Sequence, residues 1–249
     1  MDQFLIIPKM SKNKTFLIDI GNSSTCFVDH SQALYKGEYI PTARLDEQFV
    51  KECFEHHHCV VSSVVPEKDA YFSQCKSVHF VTHDSLPLIQ TQVDKPEQVG
   101  ADRLVNAVAA YRYYGGPCVI LDSGTAFTAC LIDEKGVYQG GFIFPGMRLC
   151  SKALNDYTAK LPLISVSPVD ALLGKNTDDA VRVGLYQGFI SMIRGTIQSF
   201  RDQYPGIQVI GTGNGLRILK EQLDLDAYDE LLIFKGLQLI HELQQGAQS

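Results

Sequence analysis

The stretch VILDSGTAFTACLI, from Val119 to Ile132, decides which fold this sequence predicts. Three apolar residues lead into an aspartate, a Ser-Gly-Thr turn follows, and a second β-rich run leaves the turn, which is the pattern of a strand, a tight turn and a returning strand. A near copy, FLIDIGNSSTCFV, occupies Phe16 to Val28 and places Asp19 where the later stretch has Asp122. The chain therefore contains an internal repeat.

Each of these aspartates is followed two residues later by a glycine, Gly21 or Gly124, which lets the backbone approach a ligand closely. The neighbouring Asn, Ser and Thr residues supply amides and hydroxyls suited to phosphate oxygens. An Asp-x-Gly sequence alone is common in turns, but two copies behind buried-looking strands favour a phosphate or metal-phosphate cradle. Because the repeated unit would be about half of the chain, we expect two similar α/β halves facing a nucleotide across a cleft.

The composition is that of a globular protein that acts on small molecules. The 249 residues are 45% hydrophobic and 20% charged, enough for one large domain or two ordinary ones. A net charge of -6 without a Lys/Arg run argues against nucleic-acid binding. No apolar run approaches the roughly 20 residues that span a bilayer, so we expect no membrane partner. The seven cysteines lack a CxxC pair and the start lacks a secretory signal, which indicates reduced thiols in the cytoplasm.

Hydrophobic spacing and turn residues predict the elements outside the two hairpins. Before the second hairpin they are a helix in Leu45 to His57, strands at Cys59 to Val65 and Val78 to Thr82, a loop from His83 to Val99, and a helix from Gly100 to Tyr114. After it come a strand and Pro-Gly turn in Gly140 to Met147, and helices at Gly146 to Lys160 and Thr177 to Phe200, the second with Thr177 as its N-cap. The chain closes with a strand and glycine turn in Val209 to Gly215, and a short strand and a helix in Glu230 to Gln245.

The tract HHHC, from His56 to Cys59, contains residue types that bind zinc. Three consecutive histidines cannot all face one ion from a helix, and no second Cys/His pair lies at ligand spacing. The sequence therefore favours a solvated helix end at this tract.

Asp102 and Arg103 fall in the first turn of the helix predicted from Gly100. An acid there complements the helix dipole, which explains Asp102 but not Arg103. Two later segments carry glycines that suggest close backbone approach, GGFIFPGM from Gly140 and VIGTGNG from Val209. The first also fits a plain hairpin and turn, whereas the second is a third candidate cradle, suited to the adenosine or phosphate end of a nucleotide.

Five segments together resemble type III pantothenate kinases in order and spacing. They are DIGNSS at Asp19, GADR at Gly100, DSGTA at Asp122, GGFIFPG at Gly140 and NTDDA at Asn176. The resemblance implies the duplicated ribonuclease H-like fold of the actin-like ATPase and sugar kinase superfamily. It also implies ATP-dependent phosphorylation of the primary hydroxyl of pantothenate, which opens coenzyme A synthesis. Another actin-like phosphotransferase or phosphatase, or a non-catalytic nucleotide-binding relative, is the alternative; GADR and the three aspartates favour the kinase.

The resemblance also implies domains, cofactors and residue roles. The chain would comprise an extension at 1–14 and two ribonuclease H-like halves at 15–115 and 116–249. Magnesium, a potassium or ammonium ion and a homodimer are expected, with the long helix from Thr177 offering an apolar surface. Asp102 would be the catalytic base, Asp19 would lie near magnesium and Asp122 would bind potassium. ATP would be bound by Asp19, Ile20, Gly21, Asn22, Ser23, Ser24, Thr25, Cys26 and Thr125, and pantothenate by Gly100, Ala101, Asp102, Arg103, Thr177 and Val93.

Three positions depart from the family pattern. Cys26 stands where members commonly have a lysine, Val93 where they have a tyrosine on the substrate loop, and Gly213-Asn214 where they have a Gly-Gly pair. These departures concern the grip on phosphate, the contact to pantothenate and the packing beside adenine, respectively.

Overall fold

A computed structural model of the chain describes residues 13–31, 37–86 and 89–246. The predicted extension at 1–14 therefore lies almost wholly outside the described residues. The described residues divide into two compact units, the first made of residues 13–31, 37–86, 97–106 and 233–246, and the second of residues 89–96 and 107–232. The predicted boundary of the two halves, between residues 115 and 116, stays a prediction.

The described residues form strands and helices in mixed order along the chain. The strands are β1 (Thr15–Ile20), β2 (Ser24–Asp29), β3 (Glu38–Pro41), β4 (His58–Ser63), β5 (Ser77–Phe80), β6 (Gln90–Thr91), β7 (Cys118–Ser123), β8 (Ala126–Ile132), β9 (Val137–Pro145), β10 (Gln208–Thr212) and β11 (Ala227–Tyr228). The helices are α1 (Glu47–Phe54), α2 (Pro66–Asp69), α3 (Ala101–Tyr114), α4 (Met147–Asp156), α5 (Thr177–Gln203), α6 (Asn214–Arg217) and α7 (Leu232–Gly246).

The two sheets share one strand order, which confirms the predicted duplication. The first sheet runs β3-β2-β1-β4-β5, and the second runs β9-β8-β7-β10-β11 with β6 added beside β9. In the first sheet β1, β2 and β3 pair antiparallel, and β4 and β5 continue the sheet in parallel; β7, β8 and β9 of the second sheet do the same, with β10 and β11 in parallel. Both predicted hairpins are present, as β1 with β2 and β7 with β8. Asp19 and Asp122 are each the last residue but one of a central strand, β1 in the first sheet and β7 in the second.

A core of large apolar side chains packs against each sheet and fixes its strands. In the first unit, Phe16 and Ile18 of β1 are buried in one cluster with Phe54 of α1, and the Phe16 and Phe54 rings meet edge to face at 5.1 Å. In the second unit, Val119 and Leu121 of β7 enter a cluster that the buried face of α5 completes. Alternate residues of β1 and of β7 thus anchor the strands that carry the two aspartates.

The structure corrects the N-cap of the long helix α5 and shows where its apolar face packs. Its N-cap is Asn176, whose side-chain oxygen accepts the backbone N–H of Asp179 at 2.9 Å, so Thr177 is the first helical residue and not the cap. Its apolar residues, Leu185 and Phe189 among them, are buried inside the second unit. The apolar face of α5 is therefore used inside the second unit, and a subunit interface on this helix stays a prediction.

Within the HHHC tract, His57 and Cys59 lie in the core, whereas His56 is exposed, so the prediction of a solvated helix end holds for His56 alone. Helix α1 ends at Phe54, and His57 is 7% exposed, with its ring packed edge-on against Phe16 at 5.1 Å. Its Nδ1 accepts the backbone N–H of Lys14 at 3.2 Å. The sequence interpretation failed for His57 because the residues that enclose it belong to the distant strand β1.

Two further predictions are corrected at the edges of the second sheet. The predicted loop from His83 to Val99 contains the short strand β6, which pairs with the start of β9. The last short strand, β11, lies at Ala227–Tyr228, before the segment Glu230 to Gln245 in which it was expected. Both strands have only two residues, too few for a recognisable period-2 pattern.

Candidate active site

The first hairpin turn, between β1 and β2, is held by backbone and threonine contacts. The N–H of Gly21 donates to the carbonyl of Ser24 at 3.1 Å. The carbonyl of Gly21 accepts the hydroxyl of Thr42 at 2.6 Å, and the hydroxyls of Thr42 and Thr25 lie 3.1 Å apart. Thr25 is fully buried and Thr42 nearly so. The turn is therefore held in place by the buried pair Thr25 and Thr42.

The residues at the tip of this turn face solvent. Asn22, Ser23 and Ser24 are exposed, whereas Ile20 is fully buried in the core. Amides and hydroxyls held at a rigid, exposed turn can donate to the oxygens of an anionic ligand. Among the predicted ATP-binding residues of the first hairpin, Asn22, Ser23 and Ser24 have side chains placed to donate to such a ligand. Ile20 and Thr25 are buried and instead hold the turn in place.

Cys26 lies directly opposite Asp19 in the antiparallel register of β1 and β2, so the two side chains share one face of the sheet. Burial, together with the nearby charge of Asp19, raises the pKa of the Cys26 thiol to about 12. The thiol is therefore neutral at physiological pH. It supplies none of the positive charge that a lysine at this position would bring.

Ser62 is the partner of Asp19 on its other side, in the parallel register of β1 and β4. Its side chain is fully buried, and its hydroxyl has no hydrogen-bond partner among the described residues. A buried hydroxyl without a partner is costly, and a water molecule or an ion beside Asp19 would offset that cost. A carboxylate beside a hydroxyl provides the oxygen donors that magnesium prefers.

Asp102 is placed by the first turn of α3. The carbonyl of Gly100 accepts the N–H groups of Arg103 at 3.1 Å and Leu104 at 3.2 Å, and Oδ1 of Asp102 accepts the N–H of Arg103 at 2.8 Å. A Cβ atom added at Gly100 would lie 2.5 Å from that same Oδ1. Glycine is therefore required at position 100 for the Asp102 carboxylate to keep its place.

The electrostatic surroundings suit Asp102 to proton transfer. Burial raises the pKa of its carboxyl group above the ordinary value of 3.8, and the backbone N–H and the charge of Arg103 only partly offset this. A carboxylate with a raised pKa is a stronger base than an exposed one. Desolvation of an acid at this helix position costs stability, so stabilisation of the helix dipole does not by itself explain the burial.

The Asp19 strand and the Asp102 helix meet within the first unit through Val64. The N–H of Val64 donates to the carbonyl of Ile20, the residue after Asp19, at 3.0 Å. The side chain of Val64 reaches the start of α3, where its Cγ1 would lie 3.5 Å from a Cβ atom at Gly100. The ends of β1 and β4 and the start of α3 are therefore neighbours.

The second hairpin, in the second unit, is covered by the Pro-Gly turn that follows β9. The N–H of Gly146 donates to the carbonyl of Thr125 at 2.9 Å, and a Cβ atom at Gly146 would overlap the carbonyl oxygens of Gly124 and Thr125. The glycine at position 146 thus serves close backbone packing, as the sequence indicated. The side chain of Thr125 is exposed.

The third glycine turn packs directly against Asp122. Gly213 has φ +84° and ψ 149°, and a Cβ atom there would overlap Oδ1 of Asp122 and approach the carbonyl of Ser123. A Cβ atom at Gly215 would overlap the Ser123 hydroxyl, which is buried and lacks a hydrogen-bond partner among the described residues. Asn214, which stands where family members have a second glycine, is exposed. The contacts of Gly213 with Asp122 and of Gly215 with Ser123 are therefore both kept.

The remaining substrate positions also lie in the second unit. Val93 is half-buried, and its Cγ1 would lie 3.4 Å from a Cβ atom at Gly140, which has φ +102°. Thr177 is exposed at the first residue of α5. Among the predicted site residues, the first unit therefore holds those from Asp19 to Cys26 and from Gly100 to Arg103, and the second unit holds Val93, Asp122, Thr125 and Thr177.

Sequence reasoning missed three residues that touch these positions: Thr42, Ser62 and Tyr228. Ser62 carried a signal, because it is a polar residue near the end of an apolar strand, where a partner is needed. Thr42 carried none, since its role depends on contacts to a turn about twenty residues away. Tyr228, whose hydroxyl donates to the Gly213 carbonyl at 3.2 Å, was hidden in a two-residue strand.

The described ranges contain no group of three or more His, Cys, Asp or Glu side chains arranged to hold one metal ion. Magnesium in a kinase is usually bound by one or two carboxylates together with substrate phosphates, so a single strand-end aspartate fits that use. Within the same residues, none of the helices is both long and apolar enough to cross a bilayer. All seven cysteines lie within the described part of the chain and are free thiols.

Solved structures share this fold. A Baf family protein from Campylobacter jejuni superposes with a TM-score of 0.64 at 24% identity over 93% of this chain and 99% of its own. MreB 5 of Spiroplasma citri, solved with bound AMPPNP, superposes with a TM-score of 0.53 at 10% identity over 96% and 98% of the two chains. The two like sheets with their strand-end aspartates thus have the fold of the actin-like ATPases and sugar kinases.

Sequence comparison narrows the class to one family. The family model for type III pantothenate kinase matches residues 15–199. Type III pantothenate kinases from Halalkalibacterium halodurans and Methylacidiphilum infernorum are 35% and 34% identical to this chain, each over 91% of it and over 98% and 88% of their own lengths. The chain belongs to the type III pantothenate kinase family.

Proposed function

We propose that this protein transfers the γ-phosphoryl group of ATP to the primary hydroxyl of pantothenate, giving 4'-phosphopantothenate and ADP as the first step of coenzyme A synthesis. Family membership supports the reaction. The observation that carries it in the structure is the junction at Val64, which brings the Asp19 hairpin turn and the Asp102 carboxylate to the same edge of the first unit.

Asp102 is the general base in this proposal. Its carboxylate takes the proton of the pantothenate hydroxyl as that oxygen bonds to the γ-phosphorus and the bond to the β-phosphate oxygen breaks. Burial raises the pKa of Asp102, which increases its basicity toward this proton. Arg103, held beside it in the first turn of α3, presents a planar fork of donors to substrate or phosphate oxygens.

The first hairpin holds the ATP phosphates. Asn22, Ser23 and Ser24 donate from the exposed turn, which the threonines beneath it keep in place. Asp19 and the unpartnered hydroxyl of Ser62 supply oxygen atoms for magnesium. When bound, magnesium neutralises phosphate charge. Because Cys26 is a neutral thiol, this hairpin depends more on its amides and hydroxyls for phosphate binding than a hairpin with a lysine there would.

Pantothenate is bound in this proposal by Gly100 to Arg103, Thr177 and Val93. Val93 offers an apolar contact at a position where a tyrosine would also offer a hydroxyl. The reaction takes place in the cytoplasm, which the free thiols of all seven cysteines support.

The reaction can be tested by measuring ADP release with purified protein, ATP, magnesium and potassium, with and without pantothenate. We expect release to depend on pantothenate. Stimulation by a different small alcohol and not by pantothenate would assign another substrate to this fold.

Potassium or ammonium is required for turnover, because Asp122 completes an oxygen-lined cation site at the end of β7. Thr125 at the adjoining turn contacts ATP. We expect activity to fall strongly when sodium replaces potassium at constant ionic strength, with ATP and magnesium held fixed. Equal turnover in the two salts would remove the cation role of Asp122.

The protein is a homodimer in this proposal, and the exposed apolar side chains of the second unit supply the interface. Those between residues 142 and 173 are Phe142, Ile143, Phe144, Leu149, Tyr157, Leu163, Leu172 and Leu173. Single exposed apolar residues are ordinary, but this many within one stretch of chain indicate a covered surface.

We expect light scattering to give twice the chain mass, and Ile143→Asp combined with Leu173→Asp to shift the protein towards monomer with loss of activity. Leu243, exposed on α7 in the first unit, gives a matched control as Leu243→Asp, which should leave the dimer intact. A fully active monomer of the unmodified chain would contradict the dimer.

A further inference from the structure

The glycine turn that packs on Asp122 is tied down by one side chain from the edge of the sheet. The hydroxyl of Tyr228 donates to the carbonyl of Gly213 at 3.2 Å. Tyr228 lies on β11 in register with Gly211 of β10, so its backbone is fixed two residues before the turn it holds. Tyr228 itself lies in none of the five segments that carry the family resemblance.

The geometry of Gly213 makes that hydrogen bond consequential. The residue combines φ +84° with ψ 149°, a region that residues other than glycine rarely enter, and its Cα atom lies close to Oδ1 of Asp122. Since the turn is in direct contact with the carboxylate, a shift of the turn would let Asp122 move.

The side chain of Tyr228 is itself well held. Its ring packs against the core of the second unit, and the ammonium group of Lys220 lies over the ring, 5.1 Å from its centre. Burial, with nearby carboxylates including Asp122, raises the pKa of Tyr228 to about 12, so the hydroxyl stays protonated and remains a donor at neutral pH.

We propose that Tyr228 is a positioning residue for the cation site at Asp122, holding the Gly213 turn against the carboxylate through its hydroxyl. The proposal rests on the monovalent-cation role of Asp122 proposed above. Tyr228 itself touches neither the cation nor the phosphates; it limits the freedom of the carboxylate that binds the cation.

The test is Tyr228→Phe, which removes the hydroxyl and keeps the ring and its contact to Lys220. Loss of one hydrogen bond to the turn should raise the potassium concentration for half-maximal activity by about fivefold, with turnover at saturating potassium and the KM for pantothenate near normal. Without substrates, potassium should raise the melting temperature of the unmodified protein, and the variant should need more potassium for the same rise. Tyr204→Phe is the control, because that ring stacks on Phe200 elsewhere in the same unit.

The outcomes separate the two proposals. A potassium-dependent protein whose Tyr228→Phe variant has an unchanged potassium response, in both assays, overturns the role of Tyr228 alone. A protein that responds equally to sodium and potassium overturns the cation site and with it the role of Tyr228. A variant with lowered turnover at every potassium concentration and an unchanged half-maximal concentration also contradicts the proposal, because it indicates a general structural effect.

Discussion

Asp102→Asn is expected to lower turnover by on the order of 100-fold or more while the protein stays folded and binds ATP. The asparagine keeps the shape of the side chain and can still accept the N–H of Arg103, which now bonds Oδ1 of Asp102 at 2.8 Å. It cannot take the proton of the attacking hydroxyl. Turnover measured beside nucleotide titration separates this loss from a loss of binding.

The melting temperature of the same variant distinguishes a base from a helix-capping acid. The pKa of Asp102 is raised in the folded protein, so the ionised carboxylate costs stability at pH values above that pKa, and the cost disappears as pH falls through it. Removing the charge should therefore leave the melting temperature at pH 7 unchanged or higher. If Asp102 served only the helix dipole, the variant would melt lower and turn over almost normally.

A matched control for the dipole is Glu47→Gln, which removes an exposed acid from the first turn of α1. That change should cost a few tenths of a kcal/mol in stability and leave turnover unaffected.

The pH profile of the unmodified enzyme gives an independent test of Asp102, because activity should fall on the acid side as Asp102 is protonated. Near-normal turnover in a well-folded Asp102→Asn protein would remove Asp102 from the mechanism.

Gly213→Ala is expected to have the second large effect. The backbone at Gly213 is strained for any other residue, by roughly 1–3 kcal/mol, and the added methyl group would overlap the Asp122 carboxylate and the Ser123 carbonyl. The variant should melt several degrees lower, about 5 °C if the strain is near 2 kcal/mol. Displacing Asp122 should also reduce turnover on the order of 100-fold, since small misplacements of catalytic groups are costly.

Gly195→Ala provides the control for this glycine change. Gly195 lies in the interior of α5, and a Cβ atom there would have no neighbour within 4 Å. Because alanine is the better helix former, the control should gain roughly 0.5–1 kcal/mol in stability with normal activity. A Gly213→Ala protein with the melting temperature and potassium response of the unmodified chain would show that the turn does not constrain Asp122.

The parts of the fold that depend on neighbouring residues, or on the internal repeat, could be predicted from the sequence. The two hairpins, their aspartates and α3 are predicted correctly because each pairs an apolar period with turn residues of definite conformational preference. The shared strand order follows from the repeat, since a duplicated unit folds in the same way twice. Gly146 was also recognised as a site of close packing, although its partner, the second hairpin turn, was not.

What the sequence could not supply depends on contacts between distant segments. His57 looked solvated because the strand that buries it lies about forty residues earlier. The packing of the α5 apolar face inside the second unit was equally hidden, because sequence periodicity cannot tell an internal core from a subunit contact. The hydroxyls of Thr42 and Tyr228 act on turns that are remote in sequence, and neither residue type has a pattern that marks such a role.

The most direct test of the account is the identity of the phosphorylated product. Purified protein is incubated with ATP, magnesium, potassium and pantothenate, and the products are examined by mass spectrometry and phosphorus NMR. The account predicts a phosphate monoester on the primary hydroxyl of pantothenate, formed in equal amount to ADP and absent with Asp102→Asn on the same timescale. ATP hydrolysis to ADP and free phosphate without any phosphopantothenate would contradict it.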